Sequence, residues 1–429
     1  MHTWQASARA AAVTTVFCAT LALGCGSDDD ESTNSASFTG RGPIVLAMGK
    51  DNSGVVSEIL DQWNRKHPEE RVRGIELSDS PDEQRRRMIQ DARLESGEFT
   101  VLSLDVVWTS EFAANRWVSP LPRDRVNTSG MLRPTVEGAS YRGSLIAMPW
   151  TTDAGLLYYR TDLLEKVGAK PPRTWTEMEQ ICAKVLALPE ARGMSCYAGQ
   201  FDKYEGLTVN FAEMVDSSKG TVVDENGKPH VDSPEAAKGL EFFTRAFADG
   251  LIPKKAITFK EEEGRQAFQN GELVFLRQWP YQWTLSNKRD GSSEVAGKFN
   301  VAPLPGLDGP GVSSLGGHNL AVSASAKNKA TALDFISYAT SERTQRENLL
   351  RSSNAPTDAS LYEEPDLIAK YPYLPVLKES ILHSVPRPRL VRYGDATAAI
   401  QAYAYRALNS QQDPEDALRD MQHDLSQLR

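Results

Sequence analysis

Two aspartates and one cluster of aromatic side chains hold most of the chemistry this sequence offers. Asp105 falls inside the apolar stretch Leu102–Trp108, LSLDVVW, and Asp153 inside Ala147–Leu164, AMPWTTDAGLLYYRTDLL. At Asp105 a charge within an apolar run costs several kcal/mol unless it is paired or opens on a polar cleft, whereas Asp153 is set apart by its place in a polar segment between two β-type runs. Each aspartate therefore has two readings. Asp105 either caps the next turn or presents a carboxylate to a ligand; Asp153 either forms a hinge turn or does the same. Trp279, Tyr281 and Trp283 follow a strand-like run, Glu272–Gln278, and alternate with Pro280 and Gln282. Such a cluster is ordinarily core, yet the alternation turns at least one ring towards an opening. Flat rings suit the apolar face of a pyranose, and carboxylates accept hydrogen bonds from its hydroxyls. Catalytic patterns are missing: the chain has no HExxH, paired CxxC, GxSxG or P-loop. Its six histidines are scattered without metal-ligand spacing. Gly306–Gly311 does not lie between a strand and a helix, so it reads as a loop and not as a dinucleotide site. No metal or cofactor is expected.

The elements that must position these residues alternate in type. Ile44–Met48 is a short apolar run suited to a strand buried on both faces. Val55, Val56, Ile59, Leu60 and Trp63 then recur at helical spacing, and the pattern stops before Pro68. Val72–Leu77 reads as a strand, Asp82–Glu95 as a charged helix and Leu102–Trp108 as a buried strand. This alternation predicts an α/β lobe with a mostly parallel sheet. Within Ala147–Leu164 an apolar run ends at Pro149-Trp150, a polar segment follows at Thr151–Asp153, and a second β-type run spans Leu156–Tyr159. Strand, polar segment, strand is the pattern of a chain leaving one lobe for another.

Beyond this crossing, Thr174 and Glu177 form a capping box, and Ser233-Pro234 opens a helix whose core face is Leu240, Phe243 and Phe247. Phe299–Leu304 and Asn319–Ser323 read as strands on either side of the Gly/Pro loop Pro305–Gly317, and from Asn328 the chain is mainly helical. No linker divides the middle of the chain, so several crossings between two lobes are expected. The division expected is 43–150 with 299–350 in one lobe, and 151–298 with 351–429 in the other.

The bulk properties suit an exported globular protein. The 429 residues are 40% hydrophobic and 24% charged, with a formal net charge of −9 and no basic block, which disfavours nucleic acid and anionic membrane surfaces as partners. Arg9 precedes the apolar stretch Ala10–Leu23, and Leu21-Ala22-Leu23-Gly24-Cys25 closes it. That is the pattern of a signal peptide over residues 1–24, too short for a comfortable membrane span. The polar, acidic tract Gly26–Thr39 that follows reads as part of a flexible tether over residues 25–42. Cys18 leaves with the signal, so Cys182 and Cys196 remain besides Cys25; outside the cell they form either a disulfide or two buried thiols.

Several segments, in this order, carry a family resemblance. They are the lipobox-like Leu-Ala-Leu-Gly-Cys25, Leu104–Leu121 (LDVVWTSEFAANRWVSPL), Ala147–Arg160, Lys203–Leu207 (KYEGL), Arg277–Trp283 (RQWPYQW), Val301–Gly306, Leu315–Val322 (LGGHNLAV) and Pro386–Tyr393 (PRPRLVRY). The set resembles the extracellular sugar-binding lipoproteins of ATP-binding-cassette importers, nearest the trehalose/maltose-binding branch. The resemblance implies an α/β, two-lobed periplasmic-binding-protein-like fold, each lobe a mixed sheet flanked by helices. It implies a monomeric receptor without catalytic activity, held on the outer face of the cytoplasmic membrane through lipidated Cys25. It would close on an α-linked disaccharide and deliver it to membrane permease subunits, and through them to the ATPase.

Carried over residue by residue, Asp105 and Asp153 would bond sugar hydroxyls. Trp279 would stack on a ring beside Tyr281, Gly317 and His318 would line the cleft, and Arg387 would contact hydroxyls and orient a carboxylate. Arg86, within Glu83–Arg87, and Glu262, at the start of Glu261–Phe268, complete the implied set. His318 stands where relatives often carry tryptophan, and Thr151 where they often carry tyrosine. Two rival readings are a lipid-anchored glycosidase using Asp105 and Asp153, and a receptor for a non-carbohydrate solute. A hydrolase needs its two carboxyls roughly 5–10 Å apart.

Overall fold

The computed structural model describes residues 38–51, 54–224 and 226–428; Cys25, the signal peptide and most of the expected tether lie outside them. The first lobe is built on strands β1 (Ile44–Met48), β2 (Val72–Glu76), β3 (Val101–Asp105), β4 (Val118–Ser119), β7 (Ala147–Ala154) and β12 (Leu315–Ser323), with a small β5–β6 hairpin (Ser140–Tyr141, Ser144–Leu145) beside it. β1 pairs in parallel with β2 and β3; β12 then runs antiparallel to β3, β4 and β7. The second lobe carries β8 (Leu156–Arg160), β9 (Ser195–Ala198), β10 (Leu273–Gln278) and β11 (Phe299–Ala302), in the order β11-β8-β10-β9.

Sixteen α-helices surround these sheets among the described residues. In chain order they are α1 (Val55–Lys66), α2 (Pro81–Leu94), α3 (Thr109–Ala114), α4 (Arg133–Gly138), α5 (Thr161–Lys166), α6 (Trp175–Leu186), α7 (Glu205–Ser217) and α8 (Pro234–Ala248). The remainder are α9 (Glu261–Gln269), α10 (Gln282–Ser286), α11 (Lys329–Ala339), α12 (Glu342–Ser352), α13 (Pro365–Lys370), α14 (Leu374–Leu382), α15 (Tyr393–Leu408) and α16 (Pro414–Ser426).

The period-2 rule explains the first lobe. Ile44, Leu46 and Met48 point to one face and pack with Val55, Ile59 and Trp63 of α1, while Ala47 joins Met88 and Ile89 of α2 on the other. The second lobe buries one large apolar core, in which α6, α7, α8, α15 and α16 cover the β8–β11 sheet. The expected caps form: Thr174 and Glu177 make the reciprocal capping box of α6, and Ser233 accepts from Ala236 N at the start of α8. Cys182 of α6 and Cys196 of β9 are joined as a disulfide, which resolves the two alternatives left by the sequence.

Four expectations need correction. β3 ends at Asp105, and Val106–Trp108 is a 3-10 turn leading directly into α3, because Asp105 accepts from Val107 N at 3.2 Å and turns the chain. The polar segment Thr151–Asp153 is not a linker; it continues β7, and the crossing is confined to Gly155 between β7 and β8. β11 joins β8 in the second sheet, so the stretch beginning at 299 starts in the lobe opposite to the one expected. The folded body also begins earlier than residue 43. Phe38 is buried in the first lobe's core, Arg125 donates to its carbonyl, and Ala330 N donates to the carbonyls of Thr39 and Gly40. Burial of the Phe38 ring and these backbone bonds fix residues 38–40 on the lobe.

Candidate ligand-binding cleft

β7 carries the chain out of the first lobe and β12 carries it back in, and their facing residues define one wall of a cleft. His318 lies opposite Asp105 on one side and Thr151 on the other; Gly317 faces Thr152, and Gly316 faces Asp153. Gly317 has φ of +107°, and a Cβ there would stand 2.3 Å from the carbonyl oxygen of Thr151. Only glycine permits this left-handed backbone and the close approach of the two strands. A Cβ on Gly316 would meet the Trp279 ring at 2.9 Å, so the indole from the second lobe lies directly over β12.

Trp279 is held by its own backbone. Its N–H donates to Gln278 Oε1 at 3.0 Å, and its carbonyl accepts from the Tyr158 hydroxyl at 3.1 Å. One ring face lies over the Arg277 guanidinium, 3.8 Å from its centroid. The three aromatics therefore separate by role. Trp279 reaches the cleft. The Tyr281 hydroxyl donates to Glu262 Oε1 at 3.0 Å, while Glu262, partly buried at the start of α9, also accepts from Arg265 at 2.7 Å. Trp283 packs on Phe299 and Tyr373 in the core, as such clusters ordinarily do.

Arg387 joins the lobes. It is buried and donates to Asp105 on the first lobe and, through Nη1 at 2.6 Å, to Glu205 on the second. Glu205 also accepts from the hydroxyls of Tyr393 and, at 2.8 Å, Thr397, and its backbone N–H donates to Asp82 of α2 at 3.2 Å. The lobes are thus in contact along the cleft. The capping reading of Asp105 holds, and the same carboxylate pairs with Arg387. Burial pushes the Glu205 carboxyl up to about 7, with Arg387 pulling against it. Burial keeps His318 below its usual value, so its imidazole is neutral near pH 7.

Arg86 does not belong to this group. Its side chain is 65% exposed and pairs with Glu83, while its neighbour Arg85 turns inward and bonds Glu111 through Nε at 2.7 Å. Helical geometry decides which arginine of the run faces inward, a one-residue difference of about 100° that the run's composition conceals. Four further residues were not singled out from sequence: Glu205 and Tyr393 at the cleft, and Glu213 and Arg277 buried in the second lobe behind it. Arg277 could have been found by the criterion that found Asp105, a charge inside a run whose six residues are all buried. Glu205 and Glu213 give a weaker signal, since a helix buried almost all round shows no polar face to set them apart.

Asp153 carries a pH dependence. No hydrogen bond to its carboxylate forms among the described residues, and burial raises its pKa to about 7, opposed by Arg277 and reinforced by Asp105. An aspartic acid that ionises in the unfolded chain near pH 4 then holds its proton in the folded one. The folded protein binds more protons, so this group's contribution to stability is present below about pH 4 and is lost as pH rises through about 7. A ligand hydroxyl donating to the carboxylate selects the ionised form, so affinity is expected to rise from pH 6 to pH 8. Titrations of wild type and Asp153→Asn at both pH values check this; the variant should lose the dependence, and an unchanged dependence assigns it elsewhere.

Two lobes, several crossings and a polar cleft with one aromatic platform define a hinge-type binding protein. Residues 49–346 match the model of the bacterial extracellular solute-binding protein family, and the chain belongs to that family. It is 32% identical over 382 residues to a probable ABC transporter-binding protein of Deinococcus radiodurans, covering 86% of this chain and 89% of that one. A mannitol-binding protein of Pseudomonas aeruginosa is 24% identical over 356 residues, 80% of this chain and 79% of its own length. Among solved structures, maltose-bound MalE3 of T. maritima superposes with a TM-score of 0.85 at 34% identity, covering 90% of this chain and all of that one. No helix among the described residues is long and apolar enough to cross a membrane.

Proposed function

We propose that this protein is the sugar receptor of an ATP-binding-cassette importer, and that its ligand is an α-linked disaccharide such as maltose or trehalose. The observation that carries the reading is the convergence of Asp153, Asp105 and the Trp279 ring beside the lobe crossing. Carboxylates and an indole face match the hydroxyls and apolar face of a glucosyl unit, and closure removes both from water. The 34% identity to a maltose-bound protein supports the sugar class. The family's extracellular location supports export, and lipidation of Cys25 then anchors a monomer where permease subunits can meet its closed form.

Calorimetric titration with maltose, trehalose, maltodextrins, sucrose and mannitol tests the ligand. Saturable binding to an α-glucoside without hydrolysis products is expected. Exclusive binding to mannitol overturns the disaccharide reading, and turnover of a glucoside overturns the receptor reading. Membrane fractionation of Cys25→Ala tests the anchor, and release of the protein into the soluble fraction is the expected result.

A further inference from the structure

The interior of the second lobe holds an ion pair that the cleft itself does not require. Arg277 and Glu213 are both buried, and the pair is bidentate, with Nε to Oε2 at 2.8 Å and Nη2 to Oε1 at 2.6 Å. Nη1 of the arginine donates to Gln200 at 3.1 Å. The ends of this pair touch different things. On one side the guanidinium supports the Trp279 ring. On the same side it fills the space over Gly155, the crossing between β7 and β8, where a Cβ would stand 2.6 Å from Nη2.

On the other side Glu213 holds the second crossing, the segment that leads into β12. Glu213 Oε1 accepts from Ser314 N at 3.1 Å and lies 3.3 Å from the Ser313 hydroxyl. That hydroxyl accepts from Gly155 N, which ties the two crossings to each other. Ser314 also bridges to Val385, two residues before Arg387, and Leu315 N donates to the Val385 carbonyl at 3.0 Å.

From this arrangement we infer that the Glu213–Arg277 pair is a positioning device that couples ring stacking at Trp279 to the two lobe crossings. The inference rests on the proposed reading of the cleft as a ligand site that closes. A bidentate pair fixes both guanidinium orientation and carboxylate position, so a displacement of the Trp279 ring is passed to Ser313, Ser314 and Gly155 without slack. Gln200 bonds both the guanidinium and the Arg277 carbonyl, and Asn210 bonds Gln200 in turn, which restricts the pair's geometry. An ordinary core ion pair needs no contact with the hinge; this one touches both crossings and the platform.

Glu213→Gln keeps the shape and removes the charge. With maltose as probe, the variant is expected to release ligand at least fivefold faster than wild type and to shift the tryptophan emission. Combined with Trp279→Ala, its effect on affinity should be less than additive, since the alanine already severs the link. Without any sugar, amide exchange at Gly155 and Ser314 should rise in Glu213→Gln, and Ser313→Ala, which deletes one hydroxyl, should raise it too.

A folded Glu213→Gln with wild-type release and strictly additive coupling overturns the inference. If wild type binds no sugar of the panel, the function reading fails by itself, and the exchange measurement decides the coupling: unchanged protection at both crossings in both variants overturns it. If Glu213→Gln does not fold, Ser313→Ala carries the release and exchange measurements alone with the same criteria.

Discussion

Replacing Arg387 by methionine is expected to lower the stability of the folded protein by about 3–5 kcal/mol and to abolish high-affinity ligand binding. The size follows from what stays behind. Arg387 is buried, and both of its ion-pair partners are carboxylates, Asp105 and Glu205. Without it Asp105 loses its buried cationic partner, and Glu205, whose carboxyl burial already raises to about 7 with the arginine in place, is driven further towards its protonated form. Removing one member of a buried pair leaves the uncompensated charge, which costs far more than the pair contributes. Arg387→Lys should recover little, since one ammonium cannot donate in a fork to two carboxylates on opposite lobes. Adding Glu205→Gln and Asp105→Asn to Arg387→Met should restore much of the lost stability. Urea unfolding of the set measures this; a change below about 1 kcal/mol for Arg387→Met would show that water reaches the carboxylates freely.

Trp279→Ala and Asp153→Ala should each weaken maltose binding at least tenfold, equivalent to ~1.4 kcal/mol. The indole supplies the one large apolar face over β12, and the carboxylate beside it has no hydrogen-bond donor among the described residues. A ligand hydroxyl therefore meets an acceptor that no protein group occupies. Asp153→Ala should lose affinity without loss of stability near pH 7 and above, because the removed group is an ionised acid that burial disfavours. Trp279→Ala should lose some stability as well, since Arg277 loses the ring beneath it. Calorimetry with circular-dichroism melts separates the two effects. Wild-type affinity in both folded variants would falsify the assignment of the platform.

Much of the frame is legible in the linear order of residues. Alternating apolar runs and helical spacings in 44–108 specify the α/β lobe, because each element's own periodicity decides which side it buries. The caps at Thr174 and Ser233 are local chemistry within four residues, and both form where the pattern puts them. Asp105 stands out because a carboxylate in an apolar run contradicts its surroundings, and Asp153 because it sits in a polar segment between two β-type runs. That contradiction is visible without a structure.

Pairing between distant segments is a different matter. Asp105 meets Arg387 across 282 positions, and Glu213 meets Ser314 across 101. Nothing in either local stretch names the partner, since the pairing is set by how the two sheets face each other. The same holds for β11, whose run reads as a strand anywhere but joins the second sheet through β8. It holds for Arg86 and Arg85, where the packing of α2 against Glu111 selects one arginine from three. Sequence by itself determined most of the elements, the caps at Thr174 and Ser233 and the conspicuous aspartates, because those depend on neighbours a few residues away. Only the tertiary structure decided which charges pair, which ring faces the cleft and how Glu213 and Arg277 reach both crossings, because those depend on contacts the chain closes between distant segments, 64 positions apart for Glu213 and Arg277 and 282 for Asp105 and Arg387.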